Sequence, residues 1–298
     1  MRLNKLGRSE LNVSQLGFGA MSLSDKDMAS GINLVKEAYA QGINYFDTAD
    51  LYGKGENEKL LGEALKGFRE EIILTTKVGN VWRADDSGWD WNVSKDHINK
   101  AIDDSLARLQ TDYIDLYQLH GGTNADNYDE VIETFERLKD KGKIRAYGLS
   151  SIRPNVFQYY AKFSHIASNM MQFSALDTRP KEYFDFFADN GISVIARGAL
   201  AQGILVEKAA KDYLTLDMNT VTQIKEQISA LAKAYGVSNL AIALRYVLQN
   251  SIVASALVGI RTKTQLYELL NAYDEMNSLN ANELIEFSSY SHYREHRD

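Results

Sequence analysis

Eight short runs of apolar and β-branched residues recur along the chain, and stretches with the spacing of an amphipathic helix lie between them. The runs cover residues 15–19, 44–48, 72–78, 113–119, 146–150, 170–174, 193–196 and 256–259. The helical patterns fall at 27–41, 56–66, 95–108, 129–141, 181–190, 221–235, 240–249 and 262–272. Val221, Ile224, Ile228 and Leu231 show the spacing well, recurring every three or four residues. Glycines 42, 67, 142, 191 and 236 follow helical stretches, where a left-handed residue ends a helix at little cost. Strands alternating with helices imply a parallel sheet. Eight such units in about 260 residues fit an α/β (β/α)8, or TIM, barrel better than an open doubly wound sheet. No GxGxxG follows the first run, which weakens the open dinucleotide-binding alternative. Residues 2–6 and 12–16, around the turn Gly7-Arg8-Ser9, predict an N-terminal β-hairpin ahead of the barrel.

Composition narrows the function classes. Thirty-three basic and 40 acidic side chains give a net charge of −7, which argues against a nucleic-acid partner. Cysteine is absent, so disulfides and a thiolate nucleophile are excluded, and no metal site is expected. The first 20 residues hold no apolar core of signal-peptide length. The longest apolar run, 192–206, is short of a membrane span and broken by Arg197. The expectation is a cytoplasmic protein with no membrane partner. Pro154 and Pro180 are the only prolines, and residues 1–298 read as one domain.

In such a barrel, chemistry sits where strands end at the C-terminal rim. The second run leads into Asp47 and Tyr52, the third carries Lys77 at its end, and the fourth leads into His120. Each has a bland reading on its own. Asp47 could cap a loop, Tyr52 could be a packed aromatic, Lys77 a solvated strand end and His120 a structural histidine. Four such residues on three consecutive rims are less easily explained that way, since charges ending apolar strands are costly unless paired.

The sequence F-D-T-A-D-L-Y-G at 46–53 resembles the D-T-A-x-x-Y-G signature of the aldo-keto reductases. D-Y-I-D-L-Y-Q-L-H at 112–120 and K-I-R-A-Y-G-L-S at 143–150 are similar to two further motifs of that family, in the same order. The resemblance runs from about residue 3 to 272 and favours a bacterial branch with Arg in place of the nicotinamide-stacking aromatic. It implies a barrel that binds NADPH (NADP+) across its C-terminal rim and reduces a small-molecule aldehyde or ketone. It also implies a catalytic tetrad of Asp47, Tyr52, Lys77 and His120.

The residue chemistry suits those roles. Carbonyl reduction needs a hydride at carbon and a proton at oxygen, so one acid suffices. Tyrosine, with an ordinary pKa of about 10, is a poor donor near neutrality unless an ammonium such as Lys77 lowers it. Asp47 would hold Lys77 and compensate its burial. His120 would hydrogen-bond the carbonyl oxygen.

For the cofactor, the resemblance implies contacts from Gly19, Ala20, Met21 and Asp47, and carboxamide contacts from Ser150 and Gln172. Ser151 stands where the family carries Asn. Arg197 replaces the aromatic that stacks on nicotinamide, and a guanidinium plane can stack likewise. Alternatively Arg197 meets phosphate or is a surface charge. Backbone from Gly198, Ala199, Leu200, Gln202, Gly203 and Leu205 is expected at the pyrophosphate. Gly259, Arg261, Thr262, Gln265 and Glu268 resemble the adenosine segment, with Arg261 and Gln265 placed for a 2′-phosphate and Thr262 at a helix start. Leu269 replaces that motif's final Asn.

All three tryptophans, Trp82, Trp89 and Trp91, fall between Lys77 and the next helix, so they overhang the rim. They read either as walls of an apolar substrate pocket or as packing on the barrel or a partner subunit. His97, His165, His292 and His296 have no rim position, and the polar tail 290–298 could cover the site, mediate assembly or be disordered. Two further readings stay open: an NADPH-binding regulatory or redox-sensing subunit of the same fold, and an unrelated phosphate-binding barrel enzyme. The latter leaves the four rim residues unexplained. Substrate and homo-oligomeric state are not readable from the sequence.

Overall fold

The structure is a computed structural model in which residues 1–23, 27–280, 284–287, 293 and 295 are described. The chain opens with a hairpin, β1 (Leu3–Lys5) and β2 (Asn12–Ser14), followed by β3 (Leu16–Gly19), α1 (Met28–Ala40), β4 (Tyr45–Asp47), α2 (Glu56–Ala64) and β5 (Ile73–Val78). A second hairpin, β6 (Asn80–Trp82) and β7 (Trp89–Trp91), precedes α3 (Lys95–Leu109). Then come β8 (Ile114–Leu119), α4 (Tyr128–Asp140), β9 (Ile144–Leu149), α5 (Pro154–Phe163), β10 (Ser168–Gln172), α6 (Phe184–Asp189) and β11 (Ser193–Arg197). Helices α7 (Met218–Tyr235) and α8 (Asn239–Leu248) lead to β12 (Val253–Gly259), and α9 (Lys263–Ser278) follows. Strands β3, β4, β5, β8, β9, β10, β11 and β12 form a closed barrel, each parallel to its neighbours.

The eight expected strands are the eight of the barrel. Three of them move by two residues or more. β9 begins at Ile144, β12 at Val253, and β10 occupies Ser168–Gln172 rather than 170–174. Ser168 and Asn169 are polar yet fully buried, so an apolar-run reading misses them, while Ser174 turns back to bridge Asp177. The periodicity places no helix between the fifth and sixth strands; α5 is there, opened by Pro154 in its first turn, where a missing N–H costs nothing. The expected helix at 181–190 is a 3₁₀ turn over Arg179–Tyr183 followed by the short α6. The tail is outside the described residues except for 293 and 295, and His292 and His296 with it.

Strand period sorts the core into two layers. One face of each strand points outward against the helices, as Phe18, Phe46 and Leu74 do. The other points into the barrel, where Tyr45, Leu116, Met170 and Ile195 pack with Leu6, Leu11 and Val13 of the N-terminal hairpin segment. The hairpin therefore closes one end of the barrel with apolar side chains. The same period carries Tyr45 to Asp47, Thr75 to Lys77, and Leu116 through Gln118 to His120. Asp47, Lys77 and His120 thus sit above an apolar plug. Among the described residues, no helix is long and apolar enough to cross a membrane.

Candidate active site

Lys77 ends β5 with an exposure of 1%, and Asp47 ends β4 with 3%. The Lys77 ammonium donates to Asp47 Oδ1 at 2.6 Å, to the Thr48 carbonyl at 2.7 Å and to the Tyr52 hydroxyl at 3.4 Å. Burial alone would pull the lysine pKa down. The charges and hydrogen bonds of Asp47 and Tyr52 outweigh it, and the pKa is held above its ordinary value. Tyr52 lies in the turn after β4, and its ring meets the His120 ring edge-on at 5.9 Å. Burial, with the nearby Lys77 and Arg197 cations, pushes His120 down to about 3. His120 is therefore a neutral imidazole near neutral pH, able to donate or accept a hydrogen bond. Its Nδ1 is shielded and has no hydrogen-bond partner, and Asp47 Oδ2 is likewise unpartnered.

The strand ends are braced. Thr48 donates to Asn57 Oδ1 at 2.7 Å, and Asn57 donates to the Ala20 carbonyl at 2.8 Å, tying three rim segments together. Asn80 donates to the His120 carbonyl. Sequence reading missed these side chains, along with Asn169, because amides and hydroxyls give no periodic or charge signal. Asn169, fully buried, accepts from the Ser151 N–H at 3.1 Å and donates to its carbonyl at 3.0 Å. Ser151 thus meets an amide through its backbone.

The tryptophans divide. Trp89 and Trp91 line a cavity of about 390 Å³ with His120, Ser150, Arg153 and Arg197. Trp91 donates to Asp126, and its ring lies over Gly79, where a Cβ would come within 2.5 Å. Gly79 also has φ +130°, so glycine is required there on both counts. Trp82 is not in that lining. It donates to the Leu51 carbonyl at 2.9 Å and so pins the β6–β7 hairpin onto the Tyr52 turn.

Residues expected at the cofactor occupy the same rim. Arg197 ends β11 and donates to Gln172 Oε1 at 3.1 Å. The backbone beyond it takes left-handed steps at Gly198, Ala201, Gln202 and Gly203. At Gly198 a Cβ would press Gln172 Cγ at 3.1 Å. Within the segment from Gly198 through Ala199 and Leu200 to Leu205, the N–H groups of Ala201, Gly203, Ile204 and Leu205 donate to carbonyls of the same segment, which closes the turn on itself. Thr262 caps α9 by accepting from the Gln265 N–H, and Arg261 is exposed beside it. Gln265 Oε1 accepts from the Arg261 N–H at 3.0 Å, so in this structure its side chain braces the turn. Gly19 and Ala20 are buried at the β3 rim, Met21 is 68% exposed, and Gly259 and Glu268 are exposed. Among the described residues, no group of His, Asp or Glu side chains could hold a metal ion.

Residues 15–288 match the family described as Aldo/keto reductase family. The chain is 45% identical over 282 residues to an uncharacterised oxidoreductase, YqkF, of Bacillus subtilis, covering 91% of each chain. It is 29% identical to an NADH-specific methylglyoxal reductase of Escherichia coli, covering 90% of this chain and 92% of that one. Among solved structures, the holo form of aldo-keto reductase AKR11C1 from Bacillus halodurans matches with a TM-score of 0.89 and 42% identity, covering 100% of both chains. The barrel and these matches define an oxidoreductase of the kind that reduces carbonyls with a nicotinamide cofactor. The chain belongs to the aldo/keto reductase family.

Proposed function

We propose that this chain, acting as one barrel domain, reduces small aldehydes or ketones to alcohols with NADPH, using Asp47, Tyr52, Lys77 and His120. The observation that carries the reading is the buried Lys77 ammonium, shared between Asp47 Oδ1 and the Tyr52 hydroxyl. A bound nicotinamide would supply hydride; this chain supplies the proton and the positioning. The Tyr52 O–H, beside the Lys77 ammonium, protonates the carbonyl oxygen. The Lys77 cation favours the charge left on the phenolate. His120, neutral, holds the same oxygen by a hydrogen bond and sets its approach. Trp89 and Trp91 wall the substrate. Arg197 lies at the ring end, where its plane can stack on nicotinamide and its charge disfavours the oxidised, cationic ring.

NADPH rather than NADH is favoured by Arg261, an exposed guanidinium at the start of α9, where a 2′-phosphate would meet both a cation and a helix N-terminus. An NADPH-binding regulatory subunit would share the fold, but no observation favours it. The test is Tyr52→Phe, which keeps the ring and removes the proton. Turnover with an aromatic aldehyde should fall by about 10²-fold or more, with NADPH affinity by fluorescence titration nearly unchanged. More than a tenth of native turnover would sink the assignment.

A further inference from the structure

Gln172 is engaged at both ends of its amide. Its Oε1 accepts from Arg197 at 3.1 Å, and its Nε2 donates to the Tyr213 hydroxyl at 2.9 Å. Tyr213 is far along the same β11–α7 connection that opens with the Gly198 turn. It is 7% exposed and held by a two-way backbone bridge with Leu216. Asp212 next to it accepts from the Met218 N–H, tying this end of the loop to α7. Arg197, a donor only, sets which end of the Gln172 amide faces it, and the fixed Tyr213 hydroxyl anchors the other end. An amide has one donor end and one acceptor end, and only one orientation gives Arg197 an acceptor.

We propose that Tyr213 is a positioning residue for the cofactor: by accepting from Gln172 Nε2 it fixes the Gln172 amide, and through it the Arg197 guanidinium, at the nicotinamide end of the site. It acts through Gln172. The one connection between β11 and α7 thereby serves both ends of the dinucleotide, the phosphates through backbone at 198–205 and the ring through Tyr213. Without the hydroxyl, Gln172 Nε2 loses its anchor and the amide is held from the Arg197 end alone. The remaining Gln172 N–H and the second Oε1 lone pair are what a carboxamide would use, and both directions depend on the amide plane that Arg197 and Tyr213 hold between them. The inference rests on reading Gln172 as a carboxamide contact.

The test is a double-mutant cycle on the full chain with Tyr213→Phe and Gln172→Met, reading dissociation constants for NADPH and NADP+ by fluorescence titration and turnover at saturating NADPH. Tyr213→Phe keeps the buried ring, so its thermal midpoint reports whether packing survives. The expected result is a loss of NADPH affinity of about fivefold, the size of one neutral hydrogen bond. It should come with a changed NADP+/NADPH affinity ratio and turnover within about twofold of native. In the Gln172→Met background the same substitution should have no further effect on either constant. Native affinity and ratio in Tyr213→Phe would overturn the proposal, as would an equal loss in the Gln172→Met background. Failure of the native chain to bind either dinucleotide would overturn the functional reading as well, and so is distinguishable from failure of this one alone.

Discussion

Lys77 is a charge that a barrel interior would expel were it not answered on three sides, by Asp47, the Thr48 carbonyl and Tyr52. Removing it therefore has two consequences. Lys77→Met leaves the Asp47 carboxylate buried without its counter-ion, a class of change that costs about 3–5 kcal/mol. It also removes the cation beside the proton donor. Turnover should fall by roughly 10²-fold. Turnover above a tenth of native would contradict the role proposed for Lys77. The four rim residues were legible in the sequence because each is a chemically rare choice at the end of an apolar strand. The residues that hold them, Thr48, Asn57, Asn80 and Asn169, were not. Their role exists only where hydrogen bonds reach across 9 to 40 positions of chain.

At the scale of elements, α2 enters the barrel wall carrying a buried carboxylate. Glu58 is fully buried, accepts from Thr76 of β5 and is paired with Arg108 of α3 at 2.6 Å. Asp50, just ahead of the Tyr52 turn, has no such partner for its buried Oδ1. Burial, reinforced by the Glu58 charge, pushes Asp50 up to about 7. The sign follows from proton binding. Between the ordinary carboxylate range and about pH 7, the folded state holds a proton that the unfolded state has released. Stability is therefore lost as pH rises through that window. Asp50→Asn removes the dependence. The difference in thermal midpoint, variant minus native, should grow by several degrees between about pH 5 and about pH 8. A difference that stays flat would place the Asp50 carboxyl in solvent. Helix α5 illustrates what periodicity cannot reach. Its start is marked by Pro154, a residue that reads as a breaker until its place in a first turn is known.

For the whole molecule, a chain of net charge −7 binds an anionic dinucleotide only through local cations and oriented amides. On the proposed reading these lie at separate places: Arg197 for the ring, the 198–203 turns for the phosphates, and Arg261 with the α9 N-terminus for the adenosine. Binding to the folded state alone raises stability by about 2.7 kcal/mol at a hundredfold excess over Kd. NADPH should therefore raise the thermal midpoint more than NADH at equal concentration. Arg261→Ala should remove most of that difference, since a charge-assisted contact is worth about 1.5–3 kcal/mol, roughly 10- to 150-fold in affinity. Equal loss for both dinucleotides would make Arg261 part of the scaffold.

The alternation of strand and helix patterns determined the barrel, its strand count and its N-terminal hairpin, because burial on a fixed period is a property of the local chain. Motif chemistry determined which side chains stand on the rim. Tertiary structure alone decided that Trp82 pins a turn while Trp89 and Trp91 line the cavity, that Gln265 turns back on Arg261, and that Tyr213 returns to Gln172. Each of these depends on the direction of a single hydrogen bond or ring contact between segments that only closure of the barrel brings together, and no period or composition records it.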